Sequence, residues 1–336
     1  MRAVVLVGGF GTRLRPLTAT RPKQMLPVVD RPMLEHVVGR LAEHGVDSVV
    51  LSLGYRPDAF SEAYPDGRCA GVDLHYAVEP EPLDTAGAIA FAARSAGLDD
   101  TFVALNGDVL TDIDIGRLID LHHERGAEAT IALTPVEDPS RFGVVPIDAR
   151  GRVEAFIEKP PTGTAPSNWI NAGTYVLEPG FVDRIAPGRR VSVERDTFPA
   201  LVADGSLYAM GFDDYWIDAG TPEAYLDANL DLVSGRRRAS QPFGDLAVAP
   251  SAVVHPDATV RCSVIGPGVT VAAGARIVDS VVGRDSTIGG GAGVTRSLIG
   301  VGTDVLDGAT VSDLSVVGDG QVVRGDVNGE RIPEPR

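Results

Sequence analysis

Four times in the last quarter of this 336-residue chain a serine, two aliphatic residues and a glycine come together. The blocks are Ser263-Val264-Ile265-Gly266, Ser280-Val281-Val282-Gly283, Ser297-Leu298-Ile299-Gly300 and Ser315-Val316-Val317-Gly318, spaced 17, 17 and 18 residues apart. Between them aliphatics return every five or six positions, at Ile265, Val271, Ile277, Val282, Ile288, Val294, Ile299, Val305 and Val311. Hexapeptide-like periodicity with glycine at the turns predicts a parallel β-helix, each triangular coil burying one aliphatic per side. Stacked coils share one core and leave end faces that need a cap or a partner. Some β-helices of this kind are acyltransferases, but the only histidine here is His255, which reads as an ordinary surface residue. The tail is therefore expected to serve assembly and stability rather than chemistry.

The first two-thirds of the chain follows a different rule. Val46–Leu53, Val72–Val78, Thr101–Leu105 and Ala129–Leu133 are short apolar runs that read as strands. Met33–His44, Thr85–Ala96 and Ile115–His122 carry helical spacing between them. Such alternation implies a mostly parallel sheet with helices on both faces, and ligands at the carboxyl ends of its strands. Phe142–Pro146, Arg152–Ile157 and Ile170–Leu177 read as further strands, Pro160–Pro166 as a proline-rich loop, and Tyr225–Leu232 as a closing helix. Ser234–Gly244 is polar, and its Arg236-Arg237-Arg238 run reads as a solvated segment. The expected domains are residues 1–233, a linker at 234–246, and a β-helix over 247–330.

Arg2-Ala3-Val4-Val5-Leu6-Val7 is a buried-strand pattern that opens into Gly8-Gly9-Phe10-Gly11-Thr12-Arg13-Leu14-Arg15-Pro16-Leu17-Thr18. A glycine-rich turn at the edge of a sheet exposes backbone N–H groups, and without side chains it wraps closely round an anion. Arg13, Arg15, Arg21 and Lys23 cluster here, so the loop suits a polyphosphate. It is neither a P-loop, which needs a G-x-x-x-x-G-K-[ST] pattern, nor a dinucleotide loop, since Leu14 stands where the third glycine belongs.

The basic cluster stands out because the chain is acidic, with 46 Asp and Glu against 30 Lys and Arg and a net charge of −16. That balance argues against nucleic acid as a partner. No apolar run reaches the ~20 residues of a membrane span. The amino-terminal apolar residues end too early for a secretory signal. Cys69 and Cys262 have no metal-ligand spacing and fit a reducing cytoplasm.

The loop, with Pro22-Lys23, resembles that of the sugar-phosphate nucleotidyltransferase family, in the pattern of its mannose-1-phosphate guanylyltransferases. Further matching blocks are Pro32–His36, Pro82–Ala88, Asn106-Gly107-Asp108, Phe156–Pro160, Ile170–Gly173, Ser192–Arg195 and Tyr215–Pro222. The resemblance implies a Rossmann-like α/β nucleotidyltransferase domain followed by a left-handed parallel β-helix. It also implies an enzyme that joins a sugar 1-phosphate to a nucleoside triphosphate and releases pyrophosphate. A sugar phosphate is already largely ionised at neutral pH, since its second pKa is ~6. No protein nucleophile is then needed, and the difficulty is bringing two polyanions together. Arg13 and Lys23 answer that difficulty, and Mg²⁺ is expected, held by Asp108 and Asp218 on the resemblance. On the resemblance, Leu6, Gly8, Gly9, Gly11, Thr12, Glu79, Asp84, Thr85, Asn106 and Gly107 fall at nucleotide-binding positions. Gly143, Glu158, Lys159 and Asn171 fall at sugar-phosphate positions, with Lys159 on the phosphate and Glu158 on sugar hydroxyls. Glu194 and Arg195 match a block near the sugar pocket.

Guanine presents two adjacent donors, N1–H and the N2 amino group, and one carboxylate can accept from both. Glu79, before the Pro80–Ala86 turn, suits that reading. Two positions depart from the guanylyltransferase pattern: Asp84 stands where relatives have glycine, and Gln24 where many have proline. The favoured substrates are GTP and mannose 1-phosphate. The alternatives are a glucose-1-phosphate thymidylyl-, uridylyl- or adenylyltransferase, or a non-catalytic regulatory homologue. A cytoplasmic homo-oligomer is expected.

Overall fold

The computed structural model describes residues 1–54, 56–237 and 246–334. Its chain forms two compact units: residues 1–9 with 34–216, and residues 10–33 with 217–336. Compactness thus follows a different division from a catalytic domain ending at 233. The stretch 10–33, with most of the glycine-rich loop, groups with the tail. Arg238 and the rest of the expected linker through Asp245 lie outside the described residues. Of the arginine run, Arg236 pairs with Asp231 at 3.0 Å, but Arg237 is only 5% exposed, so this residue is not the solvated one expected.

In the first unit the strands are β1 (Arg2–Leu6), β2 (Ser48–Leu53), β3 (Val72–Val78), β4 (Phe102–Asn106), β5 (Ala129–Pro135), β6 (Gly143–Val144), β7 (Ile157–Glu158), β8 (Trp169–Leu177) and β9 (Leu207–Gly211). Among the described residues they belong to one ten-stranded sheet with path β7-β6-β8-β4-β1-β2-β3, ending on Arg68–Cys69, while β5 joins β8 to β9. Pairing of β1 with β2 and β4 is parallel, and β8 runs antiparallel to β4 and β5. Ala3–Val5, Val49–Leu51 and Phe102–Leu105 at the centre of the sheet are apolar throughout because helices cover both faces. Val4, Ala104, Phe102, Ile131 and Tyr175 are all 1% exposed or less. The expected strand over Arg152–Ile157 reduces to isolated bridges at Arg152 and Val153 and the start of β7 at Ile157. Helix α1 (Met33–Glu43) and α2 (Asp84–Ser95) fall where periodicity placed them, and α3 (Ile115–Arg125) runs one turn past its expected end to stop at Gly126, in the left-handed conformation.

One buried polar cluster braces α3 against the sheet. His122 is 1% exposed; its Nδ1 lies 2.9 Å from Thr130 Oγ1 and its Nε2 2.9 Å from Glu178 Oε1. Glu178 also accepts from Thr101 Oγ1 at 2.7 Å. Burial holds the His122 pKa below its ordinary 6.5, outweighing the opposing pull of Glu178. Below pH 6.5 the unfolded chain therefore binds a proton that the folded chain resists, and stability falls with pH. The loss of Tm between pH 7 and pH 5 is expected to be steeper for the parent than for His122→Gln. Parallel Tm–pH curves would remove His122 from the acid response.

In the second unit the tail folds as the expected β-helix. Three parallel sheets, counted among the described residues, stack the coils along Leu246–Val248 to Arg331–Ile332, Val253–Val254 to Val322–Val323, and Thr259–Arg261 to Val327–Asn328. Every aliphatic of the periodic set from Ile265 to Val311 is 2% exposed or less. The serines form a ladder: Ser263 Oγ accepts from Ser280 N–H and Ser280 Oγ from Ser297 N–H, each at 3.1 Å. The 18-residue spacing has a local cause. Earlier coils turn this corner through one left-handed residue, Cys262, Asp279 or Arg296, whereas the last uses two, Asp313 and Leu314. The extra residue breaks the ladder, and Ser315 N–H bonds to Ser312 O instead. Helix α4 (Pro222–Val233) belongs to this unit and is tied to the coils by Arg296, whose Nη2 lies 3.1 Å from Glu223.

Candidate active site

The first unit brings several expected residues to the carboxyl edge of its sheet. Leu6 is in register with both Ser52 and Asn106. Beyond Leu6 the chain turns at Gly8 and Gly9, the latter with φ +97°. Gly107 N–H donates to Leu6 O at 2.9 Å, and a Cβ on Gly107 would lie 2.8 Å from Val7 Cγ1. Only glycine allows Asn106-Gly107-Asp108 to cross this close over β1, which sets half-buried Asp108 beside the start of the glycine turn. Asn106 packs on Gly173, where a Cβ would come within 2.6 Å of its Nδ2.

The turn before α2 is held from within. Glu79 accepts from Ser52 Oγ at 2.9 Å through one oxygen and from Leu83 N–H at 3.0 Å through the other. Asp84 has φ +61°, the left-handed conformation that glycine adopts most freely. Its carboxylate accepts from Thr85 N–H at 2.9 Å and stands 3.6 Å from Arg195 and 3.8 Å from Arg190. Thr85 Oγ1 donates to Glu194 at 2.8 Å and accepts from Val193 N–H at 2.8 Å. Glu194 and Arg195, expected near the sugar pocket, thus contact the start of α2 and, beside them in the chain, Ser192. Ser52, Val193 and Arg190 are not legible as partners of this turn from the sequence, because nothing in their local pattern reveals these contacts.

On the other side of β4 the antiparallel strands carry the sugar-phosphate candidates. Gly143 pairs with Glu158, and a Cβ on it would meet Phe156 at 2.5 Å. Lys159, φ +48° and largely exposed, places Nζ 3.1 Å from Glu158 Oε1. Asn171 accepts from Gly173 N–H and donates to Tyr175 Oη, both at 2.9 Å, across a bulge in β8. Burial pushes the Tyr175 phenol well above its ordinary pKa, so it stays neutral.

The second unit carries the cations. Gly11 sits at φ +59°, and its carbonyl accepts from Thr18 Oγ1 at 2.8 Å. Short 3₁₀ turns over Thr12–Leu14 and Lys23–Met25 follow, with Leu14 fully buried as an anchor and Arg13 exposed. Arg15 and Lys23 are half-buried. Arg21 leaves the expected cluster, because its guanidinium lies 2.6 Å from Asp319. Gln24 is 1% exposed, with both amide atoms lacking a partner among the described residues. Asp218 accepts from Gly220 N–H at 3.0 Å, just ahead of Thr221, which caps α4 by accepting from Ala224 N–H. Among the described residues no three or more His, Cys, Asp or Glu groups converge as a metal cage. Asp108 in the first unit and Asp218 in the second are each half-buried carboxylates, the hard oxygen donors that Mg²⁺ takes alongside phosphate and water.

A nucleotidyl transferase family model matches residues 2–235, and a model of the GMPPB C-terminal domain matches residues 243–330. A mannose-1-phosphate guanylyltransferase of Mycobacterium tuberculosis is 44% identical over 278 residues, 79% of this chain and 77% of that protein. A mannose-1-phosphate guanyltransferase of Schizosaccharomyces pombe is 39% identical, over 76% of this chain and 73% of its own. Among solved structures, HddC from Yersinia pseudotuberculosis complexed with GMP-PN is similar with a TM-score of 0.59 and 29% identity, covering 68% of this chain and 97% of that one. No helix among the described residues is long and apolar enough to cross a membrane. This chain belongs to the nucleotidyl transferase family, among its mannose-1-phosphate guanylyltransferases.

Proposed function

We propose that the protein transfers GMP from GTP to mannose 1-phosphate, forming GDP-mannose and pyrophosphate. A phosphate oxygen of the sugar phosphate attacks the α-phosphorus as the bond to the β-phosphate oxygen breaks, and that electron pair leaves with pyrophosphate. The observation that carries this reading is the glycine turn at the end of β1, abutted by Asn106-Gly107-Asp108, in a chain 44% identical to a named mannose-1-phosphate guanylyltransferase. Backbone N–H groups of Gly8, Gly9, Gly11 and Thr12 suit the triphosphate, and Arg13 and Lys23 neutralise it. Lys159 meets the sugar phosphate, while Glu158 accepts from sugar hydroxyls, with Asn171 and Gly143 lining the pocket. Nucleotidyl transferases of this family use a divalent metal ion. Asp108 and Asp218 would hold it as Mg²⁺, which would supply positive charge to offset the phosphates. A cytoplasmic homo-oligomer completes the reading, supported by the β-helix with its exposed Val253 and Val322.

Glu79 is the base reader in this proposal. Each of its oxygens spends one lone pair on Ser52 or Leu83 and keeps another for guanine. Pyrophosphate release for GTP, dTTP, UTP and ATP, each with mannose, glucose and galactose 1-phosphate, tests the pairing. GTP with mannose 1-phosphate is expected to lead, and a clear preference for another pair would overturn it. In Glu79→Gln, efficiency with GTP is expected to fall about tenfold to hundredfold, as a charge-assisted bond is lost and a donor faces a donor. Efficiency with dTTP is expected to hold or rise. Equal losses with both nucleotides would leave Glu79 as the brace of the Leu83 turn alone.

A further inference from the structure

The second unit joins two segments that are remote in sequence: the cationic loop of residues 10–33 and the β-helix. Their principal polar link is Asp319. One oxygen accepts from Arg21 Nη2 at 2.6 Å and from Thr20 Oγ1 at 3.0 Å. The other accepts from Val301 N–H at 2.9 Å, in the preceding coil. The ion pair is sheltered, with 29% of the Arg21 side chain and 23% of the Asp319 side chain exposed. Nearby, Gly318 lets the loop come close, since a Cβ there would lie 2.9 Å from Pro16 Cβ. Arg331 Nη1 donates to Arg15 O at 3.4 Å. Further along the loop, Val29 N–H donates to Asn229 Oδ1 of α4 at 2.8 Å, and Tyr225 Oη donates to Pro27 O.

The repeat itself marks Asp319 as special. The residue after the block glycine is Pro267, Arg284 and Val301 in the earlier coils and acidic only at Asp319. One oxygen serves stacking through Val301 N–H, and the other is aimed at a loop residue two positions before Lys23. The consequence for charge is direct: Asp319 neutralises Arg21.

We propose that Asp319 is a positioning residue for the nucleotidyl transfer: from the β-helix it fixes the loop that carries Arg13 and Lys23, so the tail contributes to turnover and not only to assembly. The proposal rests on the roles given to Arg13 and Lys23 above. Charge placed without its fixed geometry loses much of its effect, because a displacement of about 1 Å can cost on the order of a hundredfold in rate. A positioning residue should therefore act on kcat more than on KM.

The full-length chain with Asp319→Asn keeps the side-chain shape and an acceptor for Val301 N–H, while losing the charge that holds Arg21. With the nucleotide and sugar phosphate that the parent uses best, kcat is expected to fall about tenfold and each KM to change less than about threefold. Tm should stay within a few degrees of the parent. The exchanged pair, Arg21→Asp with Asp319→Arg, is expected to recover more activity than either single change, the mark of a direct interaction. Hydrogen–deuterium exchange supplies a readout independent of chemistry: amides of residues 12–26 should exchange faster in Asp319→Asn, with the coil strands unchanged. Unchanged exchange in 12–26 would overturn the clamp. Faster exchange with an unchanged kcat would overturn its part in catalysis. A wrong choice of GTP or mannose 1-phosphate would show in the parent's substrate preference and leave the exchange result untouched.

Discussion

Asp108→Asn and Asp218→Asn are each expected to lower kcat by on the order of a hundredfold to a thousandfold while leaving the protein folded. Both changes keep size and shape and remove only charge. At Asp218 the amide retains an oxygen for the Gly220 N–H bond that shapes the approach to α4. At Asp108 the turn is set by the backbone bond from Gly107 to Leu6 and by the lack of room beside Gly107, neither of which involves the carboxylate. On the roles proposed above, each change removes one of the two carboxylates assigned to the divalent cation. Activity measured across a magnesium titration, with circular dichroism as the folding control, decides the matter. A variant that reaches parental kcat at any magnesium concentration would take that residue out of the metal site.

The sequence exposed those parts of the molecule that are written locally. Strands β1, β2, β4 and β5 are short, mostly apolar runs closed by turn residues, the pattern that burial on both faces of a sheet imposes. The β-helix was visible because its period of five or six is set by the width of one triangular side. Even the irregular last corner showed as an 18-residue spacing, although only the structure assigns the extra residue to Asp313 and Leu314. Asp84 was identified as a departure from glycine, and it does occupy the left-handed conformation that glycine would take. Long-range pairings were not legible. Arg21 and Asp319 lie 298 positions apart, and no periodicity links a loop arginine to one corner of one coil. The loop 10–33 has no apolar repeat of its own, so its grouping with the β-helix left no local mark. For the same reason Arg21 was counted among the anion-binding cations, and the tail was credited with no part in the chemistry. Glu79 and Thr85 carried motif matches, but a match names a position and says nothing of internal partners such as Ser52 and Glu194.

Arg13→Ala is expected to lower the single-turnover rate by on the order of a hundredfold to a thousandfold, with a much smaller effect on sugar-phosphate binding. Arg13 sits in the 3₁₀ turn Thr12–Leu14, whose position is set by its neighbours. Leu14 is fully buried, Gly11 supplies the left-handed entry, and Thr18 Oγ1 closes the turn on Gly11 O. The arginine side chain is exposed, so truncating it removes no core packing and should leave Tm nearly unchanged. Its charge then matters where charge changes most during the reaction, on the departing pyrophosphate. An interaction that strengthens as the bond to the β-phosphate breaks lowers the barrier without tightening the ground state. Arg13→Lys should restore only part of the rate, because an ammonium keeps the charge but not the planar, bidentate fit to a phosphate. A single-turnover rate equal to the parent's at saturating substrates would contradict this role. The same loop holds Lys23 in a second short turn, two residues beyond the Arg21 anchored by Asp319. In that event Lys23 would be the cation that the leaving group meets.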